Sequence, residues 1–249
     1  MKIVDSTILV TGANRGIGKA LVEEALNRGV KRVYAGARQS FAHTDRRVTP
    51  IILDVTSAAQ IREAAEKVDA LDILINNAGI SVQNDLSDRA ALERLLAVNL
   101  YGTYDMTQAF LPLLTGSRSA IVNILSLASI AAVPFDPLYS ISKAASFSLS
   151  QSSRALLAGR GVSVHIVLPG PIDTDMTRNL DIPKASAEST ARAILDGVEN
   201  EEEEIFPDPM SEAVAEGWRK SAVKELQRQF AAYVDQTPVK SEGNGKDLK

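Results

Sequence analysis

The sequence predicts an α/β fold, a doubly wound parallel sheet of about seven strands with helices on both faces and an extra C-terminal helix. Three observations predict it. Short apolar runs alternate with helix-periodic stretches along most of the chain. The runs are mostly apolar, the mark of strands buried on both faces. A glycine-rich turn also stands between the first run and the first helical pattern.

Taken in order, strands are read at Thr7–Val10, Arg32–Ala35, Ile51–Leu53, Ile73–Ile75, Ala120–Leu125 and Val162–Leu168, with a weaker one at Ile205–Phe206. Helical patterns fall at Gly18–Arg28, Ala58–Val68, Arg89–Leu114, Tyr139–Ala158 and Ala187–Val198. Between the second and third strands, Ala37–Thr49 is polar and lacks helical period, so that crossover helix is expected to be shortened or absent. The charge run Glu199–Glu204 reads as a solvated loop. Ser211–Val234 reads as a last helix. The 249 residues suit one domain, expected over 1–236, with the polar segment 237–249 expected to be a disordered tail.

Composition narrows the function. There is no cysteine, which excludes disulfides, thiolate catalysis and zinc–thiolate sites, and the two histidines are too few for a His-rich metal site, so no metal is expected. A net charge of −4 lacks the basic footprint of a nucleic-acid binder. No apolar run reaches membrane-span length and the N-terminus carries no leader pattern, so a soluble, cytoplasmic protein without membrane partners is expected. His165 reads as a packed core residue and His43 as solvent-exposed.

The turn Thr11-Gly12-Ala13-Asn14-Arg15-Gly16-Ile17-Gly18 has G-x-x-x-G-x-G spacing. Glycines let backbone approach a pyrophosphate, and the following helix offers it free N–H groups and a positive dipole. That context makes the fold Rossmann-type and implies a dinucleotide. An NAD site needs an acid near the end of the second strand for the ribose 2′-hydroxyl. Gly36-Ala37-Arg38 has none. Arg38, with Arg15 inside the turn, suits a 2′-phosphate instead, so NADP(H) is expected over NAD(H).

Tyr139 and Lys143 are spaced i, i+4 at the start of a helical pattern, which puts them on one face. A phenol is a poor acid/base at neutral pH, and a nearby ammonium is expected to lower its pKa. It then exchanges a proton with a carbonyl or alcohol oxygen.

With these motifs assembled, the chain resembles the compact branch of the short-chain dehydrogenase/reductase family, in particular its NADPH-dependent carbonyl reductases. The resemblance is carried by Thr11–Gly18, Asp54-Val55, Asn76-Asn77-Ala78-Gly79, Asn99, Ser126, Tyr139, Lys143 and Pro169-Gly170, with Ser126 thirteen and Asn99 forty residues before the tyrosine. It implies that Tyr139 is the proton donor/acceptor and that Ser126 holds the substrate oxygen. Lys143 would tune the tyrosine and bind the nicotinamide ribose, and Asn99 would place a relay water. Asp54 and Val55 would flank the adenine. Asn76, Ala78 and Gly79 would line the adenosine–ribose path, and Gly170, Ile172 and Thr174 would hold the carboxamide after Pro169. Ser129 competes with Ser126, and Asn99 also reads as a core amide.

The expected pocket walls are Ser81, Leu127, Ala128, Val133, Phe135, Met176 and Leu180, mostly apolar. Tyr101, Tyr104, Met106 and Phe110 read as core or subunit contact. The glycine-rich C-terminal ending usual in the family's tetrameric members is missing, so a homodimer through the two long central helices is expected. An NADPH-binding sensor with little turnover is the alternative to an enzyme acting on a small-molecule carbonyl or alcohol. A sugar epimerase or dehydratase would need a longer substrate lobe.

Overall fold

The apolar runs become strands β1 (Thr7–Thr11), β2 (Arg32–Ala37), β3 (Val48–Ile52), β4 (Ile73–Asn76), β5 (Ser119–Ile124), β6 (Val162–Val167) and β7 (Glu204–Ile205) of a computed structural model. It describes residues 1–82, 85–114 and 119–234; the tail expected at 237–249 lies outside them. The strands form one parallel sheet, ordered β3-β2-β1-β4-β5-β6-β7. Strand periodicity explains the two cores. Ile8, Val10, Ile73, Ile75, Ala120 and Val122 face helices α1 (Gly16–Asn27) and α6 (Ala187–Glu199). The intervening Leu9, Leu74 and Ile121 face the opposite layer of α2 (Ala58–Lys67), α4 (Thr103–Phe110) and α5 (Pro137–Ala158), where Met106 and Phe110 are fully buried. Strand order reverses between β1 and β4, and open parallel sheets bind ligands at the carboxyl ends beside such a switch.

Four local features differ from the sequence reading. The pattern at Arg89–Leu114 is not one helix. It runs from α3 (Arg89–Leu96) through a π-helical stretch, Ala97–Gly102, into α4, and ends in a 3-10 turn, Leu111–Leu113. Hydrophobic period alone does not distinguish an α turn from a π turn. Ser211–Val234 is likewise two helices, α7 (Pro209–Arg219) and α8 (Ala222–Ala231). Ser221 ends the first path and caps the second by accepting from the Lys224 N–H at 3.1 Å.

The run Glu199–Glu204 is not all solvated loop. Glu204 is buried in β7, where its carboxylate meets Arg154 and Lys224, each at 2.6 Å. His43 is half-buried, its Nε2 lying 3.2 Å from Glu23 Oε1. The short crossover is as expected, since no helix separates β2 from β3. His165 is buried, its Nδ1 2.6 Å from the Glu202 carbonyl oxygen. No helix among the described residues is long and apolar enough to cross a membrane.

Candidate active site

The glycine turn lies between β1 and α1. Gly12 and Gly16 both have positive φ, 66° and 52°, where a side chain is strained. At Gly18 a side chain's first carbon would sit 2.2 Å from the Gly12 carbonyl oxygen. Arg15 takes the N-cap position of α1 without side-chain capping, which leaves the N–H groups of Gly16, Ile17 and Gly18 for a ligand. The turn is braced from β4. Asn77 donates its side-chain N–H to the carbonyls of Thr11 (2.8 Å) and Gly12 (3.2 Å). Thr11 Oγ1 accepts from the backbone N–H groups of Asn77 (3.0 Å) and Ala78 (2.9 Å). Thr11 and Asn77 were absent from the sequence-derived site, although both stand inside its motifs. These features fit a dinucleotide pyrophosphate.

Along the same edge, Asn14 and Arg38 are exposed. Asp54 Oδ1 accepts from the Thr56 N–H (2.9 Å) and hydroxyl (2.7 Å), which fixes the loop after β3. Val55 is buried against Gly102 of the π turn. The Asn76 side chain points into the core, donating to Asn123 Oδ1 at 2.9 Å and Thr107 Oγ1 at 3.3 Å. Only its neighbours Asn77, Ala78 and Gly79 are partly exposed, so the expected Asn76 side-chain lining is not what the geometry offers. The last residue of a fully buried strand has no solvent-facing side to present.

Across the sheet end, Ser126 follows β5 and Tyr139 stands in the first turn of α5. The Ser126 hydroxyl accepts from the Ala128 N–H at 3.1 Å and lies near enough to the phenol to lower its pKa. Ser129, the competing serine, has its hydroxyl buried without a partner among the described residues. Lys143 is buried. Its Nζ lies 5.7 Å from the Tyr139 ring centre and donates to the Ile124 carbonyl at 2.9 Å. Burial lowers Lys143 to about 8. Burial pushes Tyr139 up to about 12; Ser126 pulls it down and the Asp136 charge pushes it further up. The expected lowering by Lys143 does not appear here, and desolvation of the phenol dominates.

Asn99 lies within the π turn, buried. Its Oδ1 accepts from the Ile80 N–H, and its Nδ2 donates to the Ile80 carbonyl and to Ser142 Oγ, all at 2.9 Å. That fills three of the amide's four bonding positions and leaves one lone pair on Oδ1. This oxygen and Lys143 Nζ flank Gly79, at 3.4 and 3.6 Å from where a side chain would begin.

The loop after β6 completes the edge. The Pro169 carbonyl accepts from the Leu127 N–H (2.9 Å), and the Gly170 N–H donates to Asp208 Oδ2 (2.8 Å). Asp208 also caps α7, so the C-terminal helices are tied to this loop. It was missed because a D-P pair reads only as a helix start. Ile172 is buried. Thr174 lies against the glycine turn, its Cγ2 3.2 Å from where a side chain on Gly16 would begin. Arg15 pairs with Asp175 at 2.9 Å, and Asp175 also holds Arg178. Of the expected pocket walls, Phe135 and Met176 are exposed and Ala128 is buried. Ser81, Leu127, Val133 and Leu180 are half-buried.

A dinucleotide cradle and a Ser–Tyr–Lys group along one sheet edge define a Rossmann-type oxidoreductase. The short-chain dehydrogenase family model matches residues 6–185, and the chain belongs to that family. It is 34% identical over 197 residues to an uncharacterized oxidoreductase of Staphylococcus saprophyticus, covering 73% of this chain and 84% of that one. A 3-oxoacyl-[acyl-carrier-protein] reductase of Thermotoga maritima is 32% identical over 222 residues, covering 82% and 89%. A crystal structure of a short chain dehydrogenase from Burkholderia cenocepacia in complex with NADP superposes with a TM-score of 0.84 at 35% identity, covering 92% and 98%.

Proposed function

We propose that this oxidoreductase is NADPH-dependent and interconverts a ketone or aldehyde with its alcohol, Tyr139 moving the proton. The observation that carries this reading is the placement of Lys143 Nζ 5.7 Å from the Tyr139 ring centre and beside Gly79, with Ser126 at the end of the neighbouring strand. A bound nicotinamide supplies or removes the hydride. Tyr139, protonated at neutral pH, gives its proton to the substrate oxygen in reduction and recovers it in oxidation. Ser126 donates a hydrogen bond to that oxygen and fixes its distance from the phenol. The Ile124 carbonyl anchors Lys143, whose remaining N–H donors suit ribose hydroxyls. Asn99 holds Ile80 and the start of α5 in place, and its remaining lone pair faces the side of Gly79 from which a relay water would reach Lys143. Gly170, Ile172 and Thr174 form the carboxamide side, steadied by Asp208.

Arg15 and Arg38 are the proposed 2′-phosphate contacts, Arg15 exchanging its partner Asp175 for the phosphate. Charge-assisted contacts contribute about 1.5–3 kcal/mol each, less at an exposed loop. Two of them favour NADPH by roughly 10²-fold in kcat/KM. That ratio, measured over a panel of ketones and aldehydes by loss of nicotinamide absorbance, tests the reading. Equal use of NADH removes the phosphate-site assignment, and no turnover with any carbonyl would favour a sensor.

We propose a homodimer through the π-helical stretch, α4 and α5, which expose Tyr101, Tyr104, Ile141 and Leu156. Light scattering is expected to give twice the chain mass; a stable tetramer would contradict this.

A further inference from the structure

Two hydroxyls converge on the main-chain carbonyl of Asn99. Thr103 Oγ1, one turn further along the same helical path, donates to it at 3.0 Å, and Ser146 Oγ donates to it from α5 at 2.9 Å. Together they take both lone pairs of that oxygen. Ser146 is fully buried, at a position where alanine would leave no polar atom to satisfy. Its hydroxyl also lies 2.9 Å from the Ser142 carbonyl, the acceptor that a serine inside a helix ordinarily uses. One hydroxyl carries one proton, so the bond to Asn99 competes with the bond inside α5. Ser142, one turn earlier and also fully buried, accepts from Asn99 Nδ2 at 2.9 Å and donates to the Tyr139 carbonyl at 2.7 Å. Asn99 is thus held to α5 at two points, its amide by Ser142 and its main chain by Ser146.

A π turn is rare inside a helix and is found mostly where function needs it. The bond from Ser142 fixes only the far end of the Asn99 side chain; the root of that side chain moves with the main chain. We infer that Ser146 is a positioning residue for Asn99, its hydroxyl pinning the π turn to α5 so that Asn99 Oδ1 stays beside Lys143 Nζ. These two atoms lie 3.4 and 3.6 Å from where a side chain on Gly79 would begin. Lys143 stands on the same helix as Ser146, so the bond ties Asn99 to the element that carries the lysine. Thr103 cannot do this, because it belongs to the path that carries Asn99 and moves with it. Ser150, a further turn along α5 and equally buried, marks the limit of the effect. Its bonds among the described residues go to the Ser146 carbonyl at 2.7 Å and the Asn123 amide at 2.8 Å.

The inference rests on Asn99 serving the Tyr139–Lys143 pair, and its test has one arm that needs no turnover. The Ile80 N–H donates to Asn99 Oδ1 at 2.9 Å, so its exchange with deuterium, read by NMR in the full chain, reports whether the amide keeps its place. Ser146→Ala is expected to speed exchange at Ile80 about tenfold, the scale of one lost hydrogen bond. Ser150→Ala removes an equally buried hydroxyl one turn away and should leave exchange at Ile80 unchanged. In carbonyl reduction, Ser146→Ala should lower kcat by a similar factor with KM for NADPH unchanged, and Ser150→Ala should alter neither. Unchanged exchange at Ile80 in Ser146→Ala, or equal acceleration in Ser150→Ala, overturns the inference. So does faster exchange with kcat unaffected. A Ser146→Ala chain that fails to fold overturns it as well, because the hydroxyl would then be structural. Absence of turnover in the unaltered chain, with the Ile80 effect intact, would overturn the carbonyl reading and leave the hold of Ser146 on Asn99 standing.

Discussion

Tyr139→Phe is expected to lower turnover by at least about 10²-fold while leaving NADPH affinity near that of the unaltered chain. The substitution removes one oxygen from a ring that packs against the buried cluster of Ala91, Leu95 and Leu138, so the hydrophobic contacts survive. What is lost is the proton path. Burial strengthens the expectation. A phenol pushed up to about 12 stays protonated throughout the working range and always presents a donor. Lys143, lowered to about 8, sheds its charge above that pH, so cofactor affinity is expected to weaken on the alkaline side before Tyr139 ionises. Steady-state kinetics beside cofactor titration by fluorescence separates the two effects. Turnover in the Phe variant within a few fold of the unaltered chain removes Tyr139 from the mechanism.

Much of the sheet edge was legible because strand runs and the glycine turn are local signals. Ile73-Leu74-Ile75 is apolar on both faces, and a segment like that has to lie inside a sheet. The Tyr139–Lys143 spacing is a helical property that survives any packing detail. The direction of the tyrosine shift was not legible, since it depends on how far the phenol is desolvated. Asn76 shows the same limit. Its motif places it at the edge, but strand alternation and the Asn123 amide on the neighbouring strand draw its side chain inward. Asp136, Asp208 and Glu204 were invisible as sites for one reason. Each is an acid whose partner, Ser81, Gly170 or Lys224, is distant in sequence or unremarkable in type.

Lys224→Met is expected to cost about 3–5 kcal/mol of stability, the range for breaking a buried ion pair on one side. Lys224 and Glu204 are both nearly inaccessible, and Arg154 supplies the second cation while donating to the Val164 carbonyl at 2.9 Å. Removing the ammonium leaves a buried carboxylate with one partner where it had two. A loss under about 1 kcal/mol would mean that the cluster behaves as an exposed pair. Adding Glu204→Gln to Lys224→Met is expected to recover part of the loss, because the orphaned charge goes with it. Trp218, the chain's only tryptophan, stands in α7 against Phe147, with ring centres 5.6 Å apart, so its fluorescence reports docking of the C-terminal helices. The pH dependence has a definite sign. Burial pushes Glu204 up, but Arg154 and then Lys224 more than offset it and hold the carboxyl below its ordinary value. A lowered folded value means the contribution is fully present above the ordinary glutamate range and is lost as pH falls through the folded pKa. The unaltered chain should therefore lose Trp218 docking in acid, and the double variant should lose this part of the pH dependence. Because Asp208 at the head of α7 holds Gly170, loosened helices are expected to raise KM for the cofactor before circular dichroism registers unfolding.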